Sequence, residues 1–235
     1  MAGTGLHSHP RSVLVWACAG LVVAGCASTD AKKEFVYKDL QISKTSAAAG
    51  DGHTVTFKGA PLKLEGPTLK EGDTLRDAKL ADKDLKLVSL TEGKGKIRII
   101  SVVPSLDTPV CEQQTHYLSE KNADLDRDVQ LITISVDTPF AQKRFAKEAN
   151  ISNITFLSDY RGGEFGRVYG LLVPDIHVLA RSVMVVDKDN VVRYLQVVPE
   201  LATMPDMNAA FNAARKIAGR SIPLPPLGSF GGFTY

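Results

Sequence analysis

The run Ile97-Arg98-Ile99-Ile100-Ser101-Val102-Val103 is nearly continuous in β-branched residues and stops at Pro104. A strand of that kind has no polar face to turn to water, so it must be covered on both sides. Val129 to Val136 has the same character. The neighbouring sequence supplies the cover. One helix starts at Pro109, with Val110, Tyr117, Leu118 and Leu125 along one face. A second follows Thr138-Pro139, an N-cap and an N1 proline, and carries Phe140 and Phe145. Ile154 to Leu157 reads as a strand and Gly163 to Tyr169 as a short helix. Ser182 to Val186 and Val191 to Val198 flank a turn at Asp187-Lys188-Asp189-Asn190. A last helix, Met207 to Ala218, aligns Phe211, Ala214 and Ile217 and ends at Gly219. Ahead of them all, Thr54 to Lys58 alternates polar and apolar, and Gly59-Ala60-Pro61 turns the chain into Leu62-Lys63-Leu64, the pattern of an N-terminal β-hairpin. This order predicts an α/β fold: a mixed sheet with helices on both faces.

The 235 residues are enough for one such domain, placed at 53–219, with extra segments at both ends. Hydrophobic residues at 44% and charged residues at 23% argue against wholesale disorder. The net charge is +2 and no stretch concentrates Lys and Arg, which excludes nucleic acid as a partner. At the N-terminus, Arg11 precedes an uncharged apolar run from Val13 to Ala24, the layout of a secretory signal and too short to span a bilayer comfortably. Val23-Ala24-Gly25-Cys26 resembles the lipobox of bacterial lipoproteins, in which the cysteine is acylated and becomes the first mature residue. That resemblance implies a signal peptide at 1–25, lipidation of Cys26, and a membrane-tethered chain in the cell envelope facing the periplasm or exterior. Ordinary signal-peptidase cleavage nearby is the rival reading. Residues 26–52 are polar and small and are expected to form a spacer, with Phe35, Val36 and Tyr37 able to dock locally. The Pro/Gly-rich end, 220–235, is expected as an irregular tail.

The chain holds three cysteines, Cys18, Cys26 and Cys111. Signal removal discards the first and acylation masks the second, leaving Cys111 as the one free thiol of the mature protein. In Pro104-Ser105-Leu106-Asp107-Thr108-Pro109-Val110-Cys111, Thr108 suits an N-cap and Pro109 the first helical position, so Cys111 falls in the first turn. Free backbone N–H groups and the positive end of the helix dipole stabilise negative charge on a sulfur placed there, and the thiolate is the nucleophilic form. A lone cysteine is often mere core. Here it stands at a strand-to-helix junction, where open α/β sheets place their sites.

Pro104, Thr108 and Cys111 fit the pattern P-x-x-x-T-x-x-C of peroxiredoxins, and Ser101 to Cys111 as a whole resembles the thiol peroxidase subfamily. Pro139 to Phe145, Leu157 to Arg161 and Leu179 to Val183 resemble further segments of that subfamily in the same order. The order of elements is likewise that of a thioredoxin-like fold. The resemblance covers most of the mature chain. It implies a peroxidase reducing hydrogen peroxide and organic hydroperoxides through a sulfenic acid at Cys111. It further implies that Thr108 sets its hydroxyl between thiolate and peroxide, that Pro104 shields the pocket from water, and that Arg181 gives a second positive contact to sulfur and peroxide. No cofactor is implied, and a homodimer is the family expectation.

The chain departs from many relatives at Ala146, where they carry a resolving cysteine. A sulfenic acid formed at Cys111 must then meet an external thiol, from a thioredoxin-like protein or a small molecule. Two other functions compete. A dithiol reductase needs C-x-x-C, and Thr108 occupies the first position. A non-enzymatic peroxide sensor would use the sulfenate itself as signal. Metal sites find no support: the histidines are scattered, and Asp187-Lys188-Asp189-Asn190 continues without the Gly and Glu of a calcium loop. His116, five positions past Cys111, is expected to face solvent.

Overall fold

The computed structural model describes residues 1–3, 5 and 34–220. The signal, Cys26 and the tail from 221 onward lie outside the described residues, apart from the first few positions. The chain divides into two units, Met1–Glu34 and Phe35–Tyr235, and the fold belongs to the second.

Strand β1 (Thr54–Phe57) and strand β2 (Ala60–Lys63) form the expected hairpin. Its turn is tighter than the sequence suggests. Lys58 and Gly59, both at positive φ, close it in two residues, so Ala60 and Pro61 already pair with Phe57 and Thr56. β3 (Lys79–Ala81) and β4 (Leu87–Ser89) follow, then a 3-10 turn at Leu90–Gly93, in a region with no clear periodicity. β5 (Ile97–Val102) leads into α1 (Pro109–Glu120), β6 (Val129–Ser135) into α2 (Pro139–Glu148), and β7 (Ile154–Ser158) into α3 (Glu164–Tyr169). A small pair, β8 (Leu172–Val173) and β9 (Val178–Leu179), precedes the hairpin β10 (Ser182–Val186) and β11 (Val192–Val197) and the final helix α4 (Met207–Ile217). Leu125 is not part of α1: it sits in a separate 3-10 turn, Leu125–Arg127, yet remains fully buried.

The main sheet has seven strands in the order β11-β10-β5-β6-β7-β3-β4. β5, β6 and β7 run parallel, while β10, β11, β3 and β4 join antiparallel. Alternate residues of the central strands feed two separate cores. Ile97, Ile99, Leu131, Val183 and Val185 meet Leu118 of α1 and Met207, Phe211 and Ala214 of α4, with Phe145 of α2 at the margin. Ile100, Val102, Ile132, Ile134, Met184 and Val186 meet Phe165 and Tyr169 of α3 and Val55 of the hairpin. Helices thus cover both faces of a mixed sheet, as the two-sided burial of β5 requires.

The segment from Phe35 to Asp51, expected as spacer, is packed chain. Ser43 N donates to the Met204 carbonyl, Met204 N to Gln41, and Ala47 N to Val197, at 2.8 Å each. Ala49 is completely buried. Short side chains at Ser43, Ser46, Ala47 and Ala49 let this later part lie flat on β11 and on the turn before α4, which is why its composition reads like linker.

Glu200 ties the hairpin to that same turn. It accepts from Lys58 N at 3.0 Å, Gly59 N at 3.1 Å, Ala202 N at 3.0 Å and the Thr56 hydroxyl at 2.8 Å. Burial pushes its carboxyl up, but the four donors outweigh it and hold the group below the usual glutamate range. Glu200→Ala is expected to destabilise the fold by about 1–3 kcal/mol near neutral pH, the order of a charged hydrogen-bond acceptor lost from its donors. A depressed folded value means that this contribution is complete above the ordinary glutamate pKa of about 4.3 and is lost as pH falls below it. Denaturant unfolding of both proteins at pH 7 and pH 3 checks this: the gap between them should shrink at pH 3.

Candidate active site

β5 runs out at Val102, and Val103 N still bonds to the Ile134 carbonyl at 3.0 Å before the chain leaves the sheet. The loop 104–108 is then pinned from β6. The Asp137 carboxylate accepts from the Ser105 hydroxyl and from Leu106 N, both at 2.7 Å. Pro104 is half-buried in this loop and Thr108 is exposed. Thr108 occupies the N-cap position with extended backbone, but its side chain caps nothing: the hydroxyl donates to the Ser105 carbonyl at 3.1 Å. Its proton is therefore committed, and its lone pairs remain to accept from another donor. Pro109 starts α1 as the sequence suggests, and Cys111 lies in the first turn.

Cys111 has 0% exposure, among Val103 and Leu106 with Phe145 and Phe156 packed against them. From the opposite side comes Arg181, the residue just before β10, itself only 2% exposed. Its Nη2 donates to Cys111 Sγ at 3.3 Å, Nη1 to Gln114 Oε1 at 2.8 Å, and Nε to the Leu201 carbonyl at 2.9 Å. Three bonds fix the guanidinium plane. Two of the acceptors are neutral oxygens, so sulfur is the one bonded partner of this buried cation able to carry a negative charge. Burying a cation without such a partner is costly, and a guanidinium does not give up its proton to escape. The pair is thus suited to hold a thiolate and to stabilise charge on an oxygen leaving beside it.

Gln114, which sequence reasoning missed, organises that contact. It lies one helical turn beyond Cys111 on the same face of α1 and is fully buried. Its Nε2 donates to Ser101 Oγ at 2.8 Å and to the Ser182 carbonyl at 3.4 Å. With the amide nitrogen so occupied, Oε1 must point at Arg181. The signal was present in the sequence: an amide three positions from the cysteine, opposite a serine near the end of a mostly β-branched strand. Asp137 was also missed, since its work on the loop depends on the pairing of β5 with β6. His116 corrects another expectation. It is 5% exposed rather than solvent-facing, stacked on Phe35 with ring centroids 3.9 Å apart and bonded through Nδ1 to Glu120 at 2.9 Å. Among the described residues no group of three His, Cys, Asp or Glu side chains is arranged to hold a metal.

The chain is similar to known proteins over most of its length. Residues 70–211 match the Redoxin family model. A thiol peroxidase of Staphylococcus aureus (strain COL) is 43% identical over 164 residues, which are 69% of this chain and 98% of that protein. A thiol peroxidase of Halalkalibacterium halodurans is 42% identical over 162 residues, 69% of this chain and 97% of that protein. The crystal structure of a peroxiredoxin-like protein from Aquifex aeolicus superposes with a TM-score of 0.65 at 39% identity, covering 70% of this chain and 96% of the other. Fold, family match and full-length relatives point the same way, and this chain belongs to the peroxiredoxin family as a thiol peroxidase.

Proposed function

We propose that Cys111 is the peroxidatic nucleophile of this enzyme, that it turns over by a one-cysteine cycle with an external thiol, and that it works from a lipid anchor at Cys26. The observation that carries the first part is the 3.3 Å contact from Arg181 Nη2 to a sulfur with no other ionic partner. In the oxidising step the Cys111 thiolate attacks one peroxide oxygen, a sulfur–oxygen bond forms and the O–O bond breaks. The other oxygen leaves as alkoxide or hydroxide and takes up a proton. Sulfur is oxidised by two electrons and the peroxide is reduced by two. Arg181 stabilises charge on both the attacking sulfur and the departing oxygen. Thr108 receives the peroxide O–H on its free lone pairs, and Pro104 keeps water from the loop.

The sulfenic acid then meets a thiol from outside. That thiol forms a disulfide with Cys111 and expels the oxygen as water, and a second thiol restores Cys111 by exchange. The residue inventory supports this route, because Ala146 stands on α2 where a resolving cysteine would be and Cys111 is the one cysteine in the sequence after Cys26. Relatives named as peroxidases favour turnover over signalling. The family resemblance also favours a homodimer. Val23-Ala24-Gly25-Cys26 supports export and lipid attachment, and bacterial lipoproteins carry the several acyl chains that stable anchoring takes.

Four measurements test these readings. Cys111→Ser is expected to abolish peroxide consumption with the circular dichroism unchanged, and residual activity above a few per cent would overturn the assignment. Gln114→Leu should lower the second-order rate with peroxide by about tenfold or more through loss of a buried bond to Arg181, while Arg181→Ala should cost about 10²–10³-fold, as loss of a transition-state donor does. Intact mass after one equivalent of peroxide should show one added oxygen, and in an exporting bacterial host the chain should fractionate with membranes unless Cys26→Ser is introduced.

A further inference from the structure

Residues 35–47 form a strap whose first part crosses the outer face of α1 and whose second part lies on β11. Phe35 stacks on His116 at an interplanar angle of 13°. Lys38 is held at both backbone polar atoms by one side chain: its N donates to Gln113 Oε1 at 2.8 Å, and Gln113 Nε2 donates to its carbonyl at 2.9 Å. The Tyr37 hydroxyl donates to Glu120 at 2.8 Å, and its ring meets Tyr117 edge-on. Burial and the Glu120 partner keep that phenol far above its usual pKa, so it stays a donor at any physiological pH. Gln113 and His116, on the face the strap crosses, are 6% and 5% exposed. The strap lies outside the family match over residues 70–211.

The strap matters because of where the sulfur is. A hydroperoxide must bring only two oxygens to Cys111. A protein thiol must instead form a disulfide with it, which brings the two Cα atoms to within about 4.4–6.8 Å. With Cys111 completely buried among Val103, Leu106, Phe145 and Phe156, no second backbone reaches that distance unless the first turns of α1 swing outward. Gln113 and His116 lie on those turns, and the strap bolts both of them down. His116 also touches Phe145 edge-on, at 6.4 Å between centroids, so the strap and the lid over the sulfur share a side chain. At its other end the strap is secured by main-chain bonds to Val197 and Met204. Phe35 to Lys38 can therefore lift while Ser43 to Ala47 stay in place.

We propose that the strap is a latch on the reductive half of the cycle: peroxide oxidises Cys111 with the strap docked, and an external protein thiol reaches the sulfenic acid only when Phe35 to Lys38 have left α1. This rests on the one-cysteine reading above. The observed rate of reduction is then the intrinsic rate multiplied by the undocked fraction, and weakening the latch raises that fraction without touching the oxidising step. In the reductive step the incoming thiol sulfur bonds to Cys111 Sγ, the S–O bond breaks, and the oxygen leaves as water.

The test uses the full chain carrying Phe35→Ala together with Tyr37→Phe, neither of which contacts the reacting atoms. Oxidation by one equivalent of hydrogen peroxide and the later loss of the sulfenate to reduced thioredoxin are followed separately by rapid quench and intact mass. Reduction should accelerate about tenfold, for roughly 1.4 kcal/mol of docking removed, and oxidation should stay within twofold of the parent. Gln113→Leu, which removes both bonds to Lys38 from the helix side, should give the same split. An unchanged reduction rate in both proteins, with hydrogen exchange showing the amides around Lys38 deprotected, would overturn the latch and leave the one-cysteine cycle standing. Equal slowing of both half-reactions would overturn it too, by showing that the strap only supports the fold. A mass loss of two hydrogens with no oxygen added would overturn the one-cysteine reading, and the latch with it.

Discussion

Strand β5 has no face toward water, and most of the architecture follows from that one condition. All six of its residues are buried, so a layer must lie on each side, and its neighbours β6 and β10 must be equally sheltered. Parallel pairing with β6 forces a crossover, and α1 supplies it. The crossover begins at the carboxyl end of β5, so the first turn of α1 is held at the sheet edge by a strand that cannot shift register without exposing alternate residues of both cores. Cys111 takes its position from this constraint, together with the loop that Asp137 pins before it.

The second condition is electrostatic. Arg181 enters the same edge from the antiparallel side of the sheet, at the start of β10, and gives donors to a backbone carbonyl, an amide and a sulfur. The mixed topology is what lets this happen. β10 runs antiparallel to β5, so the start of one strand lies beside the end of the other, Ser182 paired with Val102. An all-parallel sheet would have put the start of that strand at the far edge. The site is thus made where two strands of opposite sense meet, with Gln114 between them reading the position of both through Ser101 and the Ser182 carbonyl.

These features differ in how far the sequence reveals them. Cys111 was legible because its surroundings are local: a strand that ends at Pro104, a loop, a proline at the first helical turn. Arg181 was legible only through family resemblance, since 70 residues separate it from the cysteine. Asp137 was illegible for a related reason, and so was the place on α1 where Phe35 to Lys38 dock, although local docking of Phe35 to Tyr37 was expected. Each depends on which elements become neighbours, and nothing within a short window of sequence records that. The region of β3 and β4 was passed over because strands of three residues carry no measurable period. His116 was misread from the opposite direction. A polar side chain on the outer face of a helix does face water, until a distant segment of the same chain covers it.

The docked strap also changes what the proposed anchor can do. Were residues 27–52 all free, the domain could wander on the order of 80 Å from a lipid at Cys26. With packing established from Phe35, only the steps from 26 to 35 remain, 9 in number, and at about 3.5 Å each they span roughly 30 Å at full stretch. A domain of this length is about 40 Å across. An enzyme anchored in this way would stay in a layer beside the bilayer, on a tether of roughly 30 Å with the strap docked and roughly 60 Å once only Ser43 to Ala47 hold. Reductants sharing that layer would meet it as a crowded two-dimensional population, at effective concentrations that let even a loosely binding donor sustain turnover. Reductants dissolved in the bulk would hold no such advantage, and a short tether to the proposed anchor would then act as a filter on which donors count.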